Sequence, residues 1–391
     1  MKKKLLTIIM ICAVFVWACP AWAARNVTDS RGVQVRLPEE IQRVATISDG
    51  FIAGVMTVLG VPEKLAAVGS TCIQRTFEYS YPTVKGGEYT YTNGMNPVLY
   101  LNPGIKDLPL IAKPGSPIYY ETLVNIDPDL VIVRVGSCTL RRLADENVEK
   151  SVEMMESLGI PVLVIYGTNC YKTPDLSQIT DEIRILGEVF NRPIQAKKLS
   201  DYLEAQTAFI KERTKDIKDS DKVNTLIFGL SPKARKAGGA GQVFGLDTME
   251  SYFIETIANA KNAYDEPGYF KKINTEQVLA LDPDVIVLCT AWGYHPPEEL
   301  YEAPYYQNLS GLKAVKNRRV SALPWSPCNC SKRLEYPIDA MVIAKASYPE
   351  KFRDIDLAQW LIDFYCNVYG VDVATAERLR SVQWMDWTLN R

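Results

Sequence analysis

Cysteine is the residue of this chain with the most chemistry to offer. Seven of its nine cysteines follow Ala23: Cys72, Cys138, Cys170, Cys289, Cys328, Cys330 and Cys366. Seven is odd, so at least one has no intramolecular disulfide partner. Thiolates suit soft metals, whereas in an oxidising compartment thiols pair. Disulfides stapling loops, for instance among Cys72, Cys138 and Cys170, are one expectation. Contact of Cys328 and Cys330 with the metal of a bound ligand is the other, although Cys328-Asn-Cys330 lacks the C-x₂-C spacing of zinc sites. His295, the sole histidine, stands in AWGYHPPEEL, either as a surface residue or as a ligand filling an open position on that metal.

A second set is cationic: Arg75, Lys113, Arg141, Arg142, Arg235, Lys332 and Arg333. Arginine's planar fork of donors matches carboxylate, catecholate and oxyanion groups. A third set is aromatic. Phe51, Tyr79, Trp292, Tyr294 and Trp325 could wall a bulky chelate or serve only as packing. Enzyme chemistry finds little support. One histidine leaves scant acid–base capacity near neutrality, and no Ser-His or Cys-His pair is set by spacing. GGAGQVFG (residues 238–245) lacks the dinucleotide fingerprint, and no phosphate-binding P-loop occurs.

The elements that must position these residues alternate. Strands are expected at Arg43–Ile47, Leu65–Gly69, Leu130–Val135 and Val162–Tyr166, then at Thr225–Leu230, Val285–Cys289 and Arg319–Leu323. Helices are expected at Val148–Leu158, Met249–Asn259 and Pro337–Ala346. This pattern predicts α/β layers with mainly parallel sheets. Between the halves, Asp175–Phe190 reads as a helix. Pro193 then opens a second one, since proline is well placed in a first turn. That helix runs to about Lys218 without Gly or Pro, a rod of ~38 Å. The reading is two lobes, 24–174 and 219–391, joined by a helical connector over 175–218. Open α/β sheets bind ligands beyond the carboxyl ends of their strands. On that rule most of the cysteines, cations and aromatics above fall on loops rimming a cleft between lobes.

Bulk composition narrows the class. The chain has 391 residues, 47% hydrophobic and 23% charged, with a formal net charge of −2. That is globular composition, with no field to draw the chain to nucleic acid. Residues 1–23 read as a signal peptide, with Lys2-Lys3-Lys4, an apolar run from Leu5 to Ala18, and Ala21-Trp22-Ala23 before the cut. The apolar run is about 14 residues, short of the ~20 that span a bilayer. Acylation at Cys19 is a less favoured variant. The mature protein is therefore expected to be exported, and either soluble or tethered.

One phrase is written twice. ETLVNIDPDLVIV begins at Glu121, and EQVLALDPDVIVL begins at Glu276. Each reads as a short helix opened by glutamate, ended by Asp-Pro-Asp and followed by a buried parallel strand, one copy per lobe. With RNVTDSRGVQVRLPEEIQRVATI, MESLGIPVLVI, YYQNLSGLKAVKNRRVSALP and YPEKFRDIDLAQWLIDFY, the chain resembles the periplasmic substrate-binding proteins of ABC importers. The likeness is to the class built on a single connecting helix, which serves iron–siderophore, haem, cobalamin and molybdate or tungstate uptake. ETIANAKNAY departs from it, where a Gly-rich turn is usual.

The resemblance implies two Rossmann-like lobes with a ligand cleft between them, no enzymatic activity and no intrinsic cofactor. It implies Glu121 and Glu276 as the surface carboxylates that dock on an ABC permease dimer with its ATPase. It implies a monomer delivering a small metal-bearing ligand. An iron(III)–siderophore-type chelate comes first, then molybdate or tungstate, then cobalamin or haem. A sensor subunit that binds the ligand without delivering it is the alternative class. The expected ligand-binding residues are Arg75, Lys113, Arg142, Trp292, Tyr294, Trp325 and Arg333.

Overall fold

A computed structural model describes residues 25–140, 146–290, 296–325 and 333–390. In chain order the first eight strands are β1 (Arg25–Thr28), β2 (Gln34–Leu37), β3 (Val44–Ile47), β4 (Leu65–Val68), β5 (Phe77–Pro82), β6 (Glu88–Gly94), β7 (Leu130–Val135) and β8 (Val162–Tyr166). The remaining six are β9 (Asn224–Gly229), β10 (Gly241–Val243), β11 (Lys261–Asn262), β12 (Lys271–Ile273), β13 (Val285–Leu288) and β14 (Val320–Ala322).

Two sheets carry the two lobes. The first is wholly parallel, in the order β4-β3-β7-β8. Its inner strands read VATI and LVIVRV and are buried along their whole length, as strands covered on both faces must be. The second runs β12-β10-β9-β13-β14, with β11 beside the start of β9. Here β9, β13 and β14 are parallel, and β10 pairs antiparallel with both β9 and the edge strand β12.

The duplicated phrase folds the same way in both lobes. Tyr120–Ile126 and Thr275–Leu281 are short helices with Glu121 and Glu276 in their first turns. Each ends on an aspartate in the left-handed region, Asp127 (φ 50°) and Asp282 (φ 36°). Aspartate is one of the few side chains that tolerates this conformation. The second aspartate ties the following strand to its neighbour. Asp129 accepts from the backbone N–H groups of Gln42 (2.7 Å) and Arg43 (2.8 Å), and its own N–H donates to the Arg43 carbonyl. Asp284 likewise accepts from the Asn224 N–H at 3.1 Å and donates back to the Asn224 carbonyl. The Asp-Pro-Asp therefore stops a helix and also fixes where the central strand begins.

The connector is a helical pair. Leu176–Val189 is capped by Asp175 in a capping box with Gln178. After Pro193 at its first turn, the second helix runs to Thr214, 22 residues or ~33 Å. It stops before the Lys218 expected from sequence. Leu130 and Ile132 of the first sheet, Ile183, Leu199, Leu203 and Ile210 of the connector, and Val285, Val287 and Ile343 of the second lobe belong to one continuous buried cluster. The link is thus packed into both lobes. A further departure lies at Met249–Ile257, where the expected helix is an α-turn over Met249–Tyr252 followed by π-helix over Phe253–Ile257.

Candidate functional site

The carboxyl ends of the first sheet's strands open into four turns built from small residues. After β3, Ser48 accepts the Ile52 N–H at 3.4 Å, and Gly50 adopts φ 120°. A Cβ at Gly50 would lie 2.6 Å from the Asn96 amide, so this turn needs glycine on both counts. After β4, Ser70 accepts the Cys72 N–H at 3.2 Å. After β7, Ser137 accepts the Leu140 N–H at 3.4 Å. After β8, the Thr168 hydroxyl is buried with no hydrogen-bond partner among the described residues. The turns are also bonded to each other. Thr139 Oγ1 donates to the Gly69 carbonyl at 2.8 Å, Asn169 donates to the Gly136 carbonyl at 3.0 Å, and Ser70 Oγ lies 3.5 Å from Cys138 Sγ. The second lobe adds Ser231 after β9, accepting the Ala234 N–H at 3.1 Å, and buried Thr290 after β13.

Beneath this floor lies a buried charge cluster. Arg134, near the end of β7, is fully buried and forks onto Glu182 of the connector's first helix, with Nη2 to Oε1 at 2.8 Å. Its Nε also donates to Oε2 of the same carboxylate. Asp49 Oδ1 lies 3.6 Å from Nη1, and the guanidinium sits 4.1 Å from the Phe51 ring centroid. Burial alone would lower the Arg134 pKa, but the Glu182 and Asp49 carboxylates more than offset it and hold the group charged. Burial pushes the Glu182 carboxyl up, opposed by Arg134. The cluster pins the β3 turn to β7 and to the connector.

The two lobes meet through a hairpin. β5 and β6 leave the first lobe after the β4 turn and pair antiparallel with each other. Tyr81 is fully buried in the cluster built on the second sheet, with Leu226, Phe228, Leu288, Leu300 and Tyr306. Tyr79 donates to the buried Glu299 carboxylate at 2.7 Å, as does Tyr305, and Arg235 lies 3.7 Å from the same oxygen. Val84 N–H donates to the Glu302 carbonyl at 2.8 Å. Near the hairpin's base, Phe77 lies 5.0 Å from the Trp325 ring, and Trp384 Nε1 donates to the Thr92 carbonyl at 2.8 Å. Gly94 is required there, since a Cβ would fall 2.5 Å from the Trp384 ring. Chain following β4 thus touches chain following β13 and β14. The hairpin therefore bridges the first lobe to segments that follow the second sheet's strands.

The expected site residues divide accordingly. Arg75 and Lys113 are exposed on the loops after β4 and before the Glu121 helix, and Arg333 is half-buried before the helix Tyr336–Ser347. Trp325 is only 3% exposed, packed between Phe77 and Trp384. Glu121 and Glu276 are both exposed. Arg142, Trp292, Tyr294, His295, Cys328 and Cys330 lie outside the described residues. Cys72 and Cys138 come together, with Sγ atoms 3.8 Å apart. Cys170 sits beside Gly136, and burial pushes its thiol up to about 12. Sequence reasoning missed Arg134, Glu182 and Glu299, the charged groups that organise the floor and the hairpin.

Known proteins share this architecture. The profile of the periplasmic binding protein family matches residues 47–326. The molybdate-binding protein MolA of Haemophilus influenzae is 22% identical, the alignment spanning 94% of this chain and 97% of MolA. The haem uptake protein IsdE of Staphylococcus aureus is 26% identical over 56% of this chain and 74% of its own. Among solved structures, a periplasmic solute-binding protein of Veillonella parvula superposes with a TM-score of 0.68 at 21% identity, covering 93% of this chain and 98% of that one. MolA bound to molybdate gives a TM-score of 0.66 at 19% identity, over 89% and 98%. These relatives are solute-binding proteins and not enzymes. Two α/β lobes on a helical connector, with a cleft at the strand ends, thus coincide with a profile match over most of the chain: it belongs to the periplasmic binding protein family.

Proposed function

We propose that this protein captures a compact metal oxyanion, of the molybdate or tungstate kind, in the periplasm and presents it to an ABC permease. The observation that carries the reading is the hydroxyl-bearing floor. Ser48, Ser137 and Ser231 each use the side-chain oxygen to accept a backbone N–H, which leaves the hydroxyl proton to donate elsewhere. Thr168 adds a buried hydroxyl with no partner among the described residues. Hydroxyl donors at the strand ends of both lobes suit a small anion rich in acceptor oxygens. A bulky chelate asks instead for an open aromatic wall, and Trp325 is taken up in packing against the hairpin. The near full-length likeness to a molybdate-binding protein points the same way. We therefore place the oxyanion ahead of an iron(III)–siderophore-type chelate, with haem and cobalamin after it.

Delivery would use Glu121 and Glu276, equivalent exposed carboxylates on the two lobes, against basic pockets of the permease dimer. Residues 1–23 would direct export. The test is calorimetric titration of the mature protein with molybdate and tungstate, and in parallel with a ferric tris-catecholate complex and haemin. Saturable one-to-one oxyanion binding with none of the larger ligands is the expected result. Binding of the ferric complex or haemin without either oxyanion overturns the reading.

A further inference from the structure

We propose that Cys72 and Cys138 form an exchangeable disulfide that staples the turns after β4 and β7 across the end of β3. The sheet order β4-β3-β7 places β3 between the two strands that carry these turns. A bond between the turns therefore crosses over Ser48-Asp49-Gly50, in the middle of the cleft floor. The two sulfurs lie 3.8 Å apart, and a disulfide needs about 2.05 Å. The turns are already held together by the Thr139–Gly69 hydrogen bond and the Ser70–Cys138 contact. Closing that gap therefore calls for side-chain rotation and a small shift, with no new fold.

The pair is asymmetric. Cys72 is half-buried, whereas Cys138 is 2% exposed. This assigns an order to the chemistry. The Cys72 thiolate attacks one sulfur of a disulfide oxidant, either a thiol–disulfide oxidoreductase or oxidised glutathione. The oxidant's S–S bond breaks, and one of its sulfurs leaves as thiolate. Cys138, deprotonated in turn, attacks Cys72 Sγ in the mixed disulfide and expels the second oxidant sulfur. Two protein thiols are oxidised and one oxidant disulfide is reduced. The two cysteine protons end on the two leaving thiolates. Cys170, on the neighbouring β8 turn, is half-buried beside Gly136 and lies outside this sulfur pair, so it is expected to stay a thiol.

The staple would fix the backbone that presents Ser70 and Ser137, and reduction would loosen it. Its test does not depend on which ligand the cleft takes. The reduced protein is equilibrated with oxidised glutathione, alkylated, digested without reductant and mapped by mass spectrometry, alongside amide hydrogen exchange. One linked peptide pair containing Cys72 and Cys138 is expected, with Cys170 alkylated. Exchange at residues 69–73 and 136–140 should slow several-fold on oxidation. In Cys138→Ser, glutathione should remain trapped on Cys72. Alkylation of both cysteines in the oxidised wild-type protein overturns the proposal, and so does linkage of either to a different cysteine. Because the wild-type map needs no variant, a folding failure of Cys138→Ser leaves the decision intact.

Discussion

Tyr79 and Tyr81 stand two apart on β5, so their side chains project to the same face of the hairpin. Substituting each should nonetheless have opposite consequences. The Tyr81 ring is fully buried in the second lobe's core, while its hydroxyl has no hydrogen-bond partner among the described residues. Tyr81→Ala removes a buried aromatic from a packed site, which costs about 3–5 kcal/mol. Tyr81→Phe keeps the ring and discards a buried hydroxyl that gains nothing from burial. It should be neutral or stabilising by up to about 1 kcal/mol. Tyr79 differs because its hydroxyl donates to the buried Glu299 carboxylate at 2.7 Å. Tyr79→Phe deprives a buried carboxylate of a donor and should cost about 1.5–3 kcal/mol. Burial, with Glu299 beside it, pushes the Tyr79 phenol far up, so it stays a donor throughout the accessible pH range. Equilibrium urea unfolding followed by tryptophan fluorescence reads all three variants, and amide exchange over residues 77–94 reads hairpin attachment. The reasoning fails if Tyr81→Phe costs as much as Tyr79→Phe. It also fails if Tyr81→Ala leaves the hairpin's protection at wild-type values.

Arg134→Met leaves Glu182 and Asp49 buried without their counter-charge and should destabilise by about 3–5 kcal/mol in urea unfolding, with partial recovery in Arg134→Met/Glu182→Leu. If the double variant is no more stable than the single one, the cluster is not an ion-pair network. Glu121→Arg and Glu276→Arg should each lower uptake in proteoliposomes carrying the permease by at least about tenfold, through like-charge repulsion. Ligand affinity measured by calorimetry should not move, because both carboxylates are exposed on the outer surface. Cys170, its thiol held up at about 12 by burial, should be alkylated at a rate that keeps climbing as pH rises toward that value, whereas an ordinary thiol levels off above about 8.5. Mass spectrometry of peptides quenched at successive pH values reads it.

The parts that could be read from the chain are those where one local rule dominates. Leu130–Val135 and Val162–Tyr166 were expected with the bounds they have, because a doubly covered parallel strand is an unbroken apolar run. The Asp-Pro-Asp phrases announced equivalent units, because proline cannot continue a helix and restricts the residue before it; that each helix ends on a left-handed aspartate is visible only in the structure. The hairpin was overlooked although its signal was present: Tyr79, Tyr81, Tyr89 and Tyr91 alternate about a Lys-Gly-Gly turn. Reading Tyr79 as a cleft-rim aromatic hid it. Arg134 could not have been found this way. Within LVIVRV it reads as one outward-facing residue, and only the arrival of Glu182 from the connector makes its burial tolerable. Glu299 is the same case, since its partners Tyr79 and Arg235 are remote in sequence.

The connector and the hairpin together bear on how the cleft can move. A connector alone would permit rocking, but here the first lobe also sends a strand pair into the second lobe's core. The lobes are joined at two places, the packed connector and the hairpin. Separating them by a wide hinge would expose Tyr81 and break the Tyr79–Glu299 bond, a penalty of several kcal/mol by the magnitudes above. A ligand shifts a conformational equilibrium only by its difference in affinity for the two forms. A compact oxyanion offers few contacts from which to draw such a difference. The architecture therefore favours small local adjustment of the floor turns over large closure of the lobes. If the ligand is the proposed oxyanion, control of binding would lie in the segments where Ser70, Cys72, Ser137 and Cys138 meet. The architecture also leaves Glu121 and Glu276 at a nearly fixed separation, so a permease would recognise one spacing in both the empty and the loaded protein.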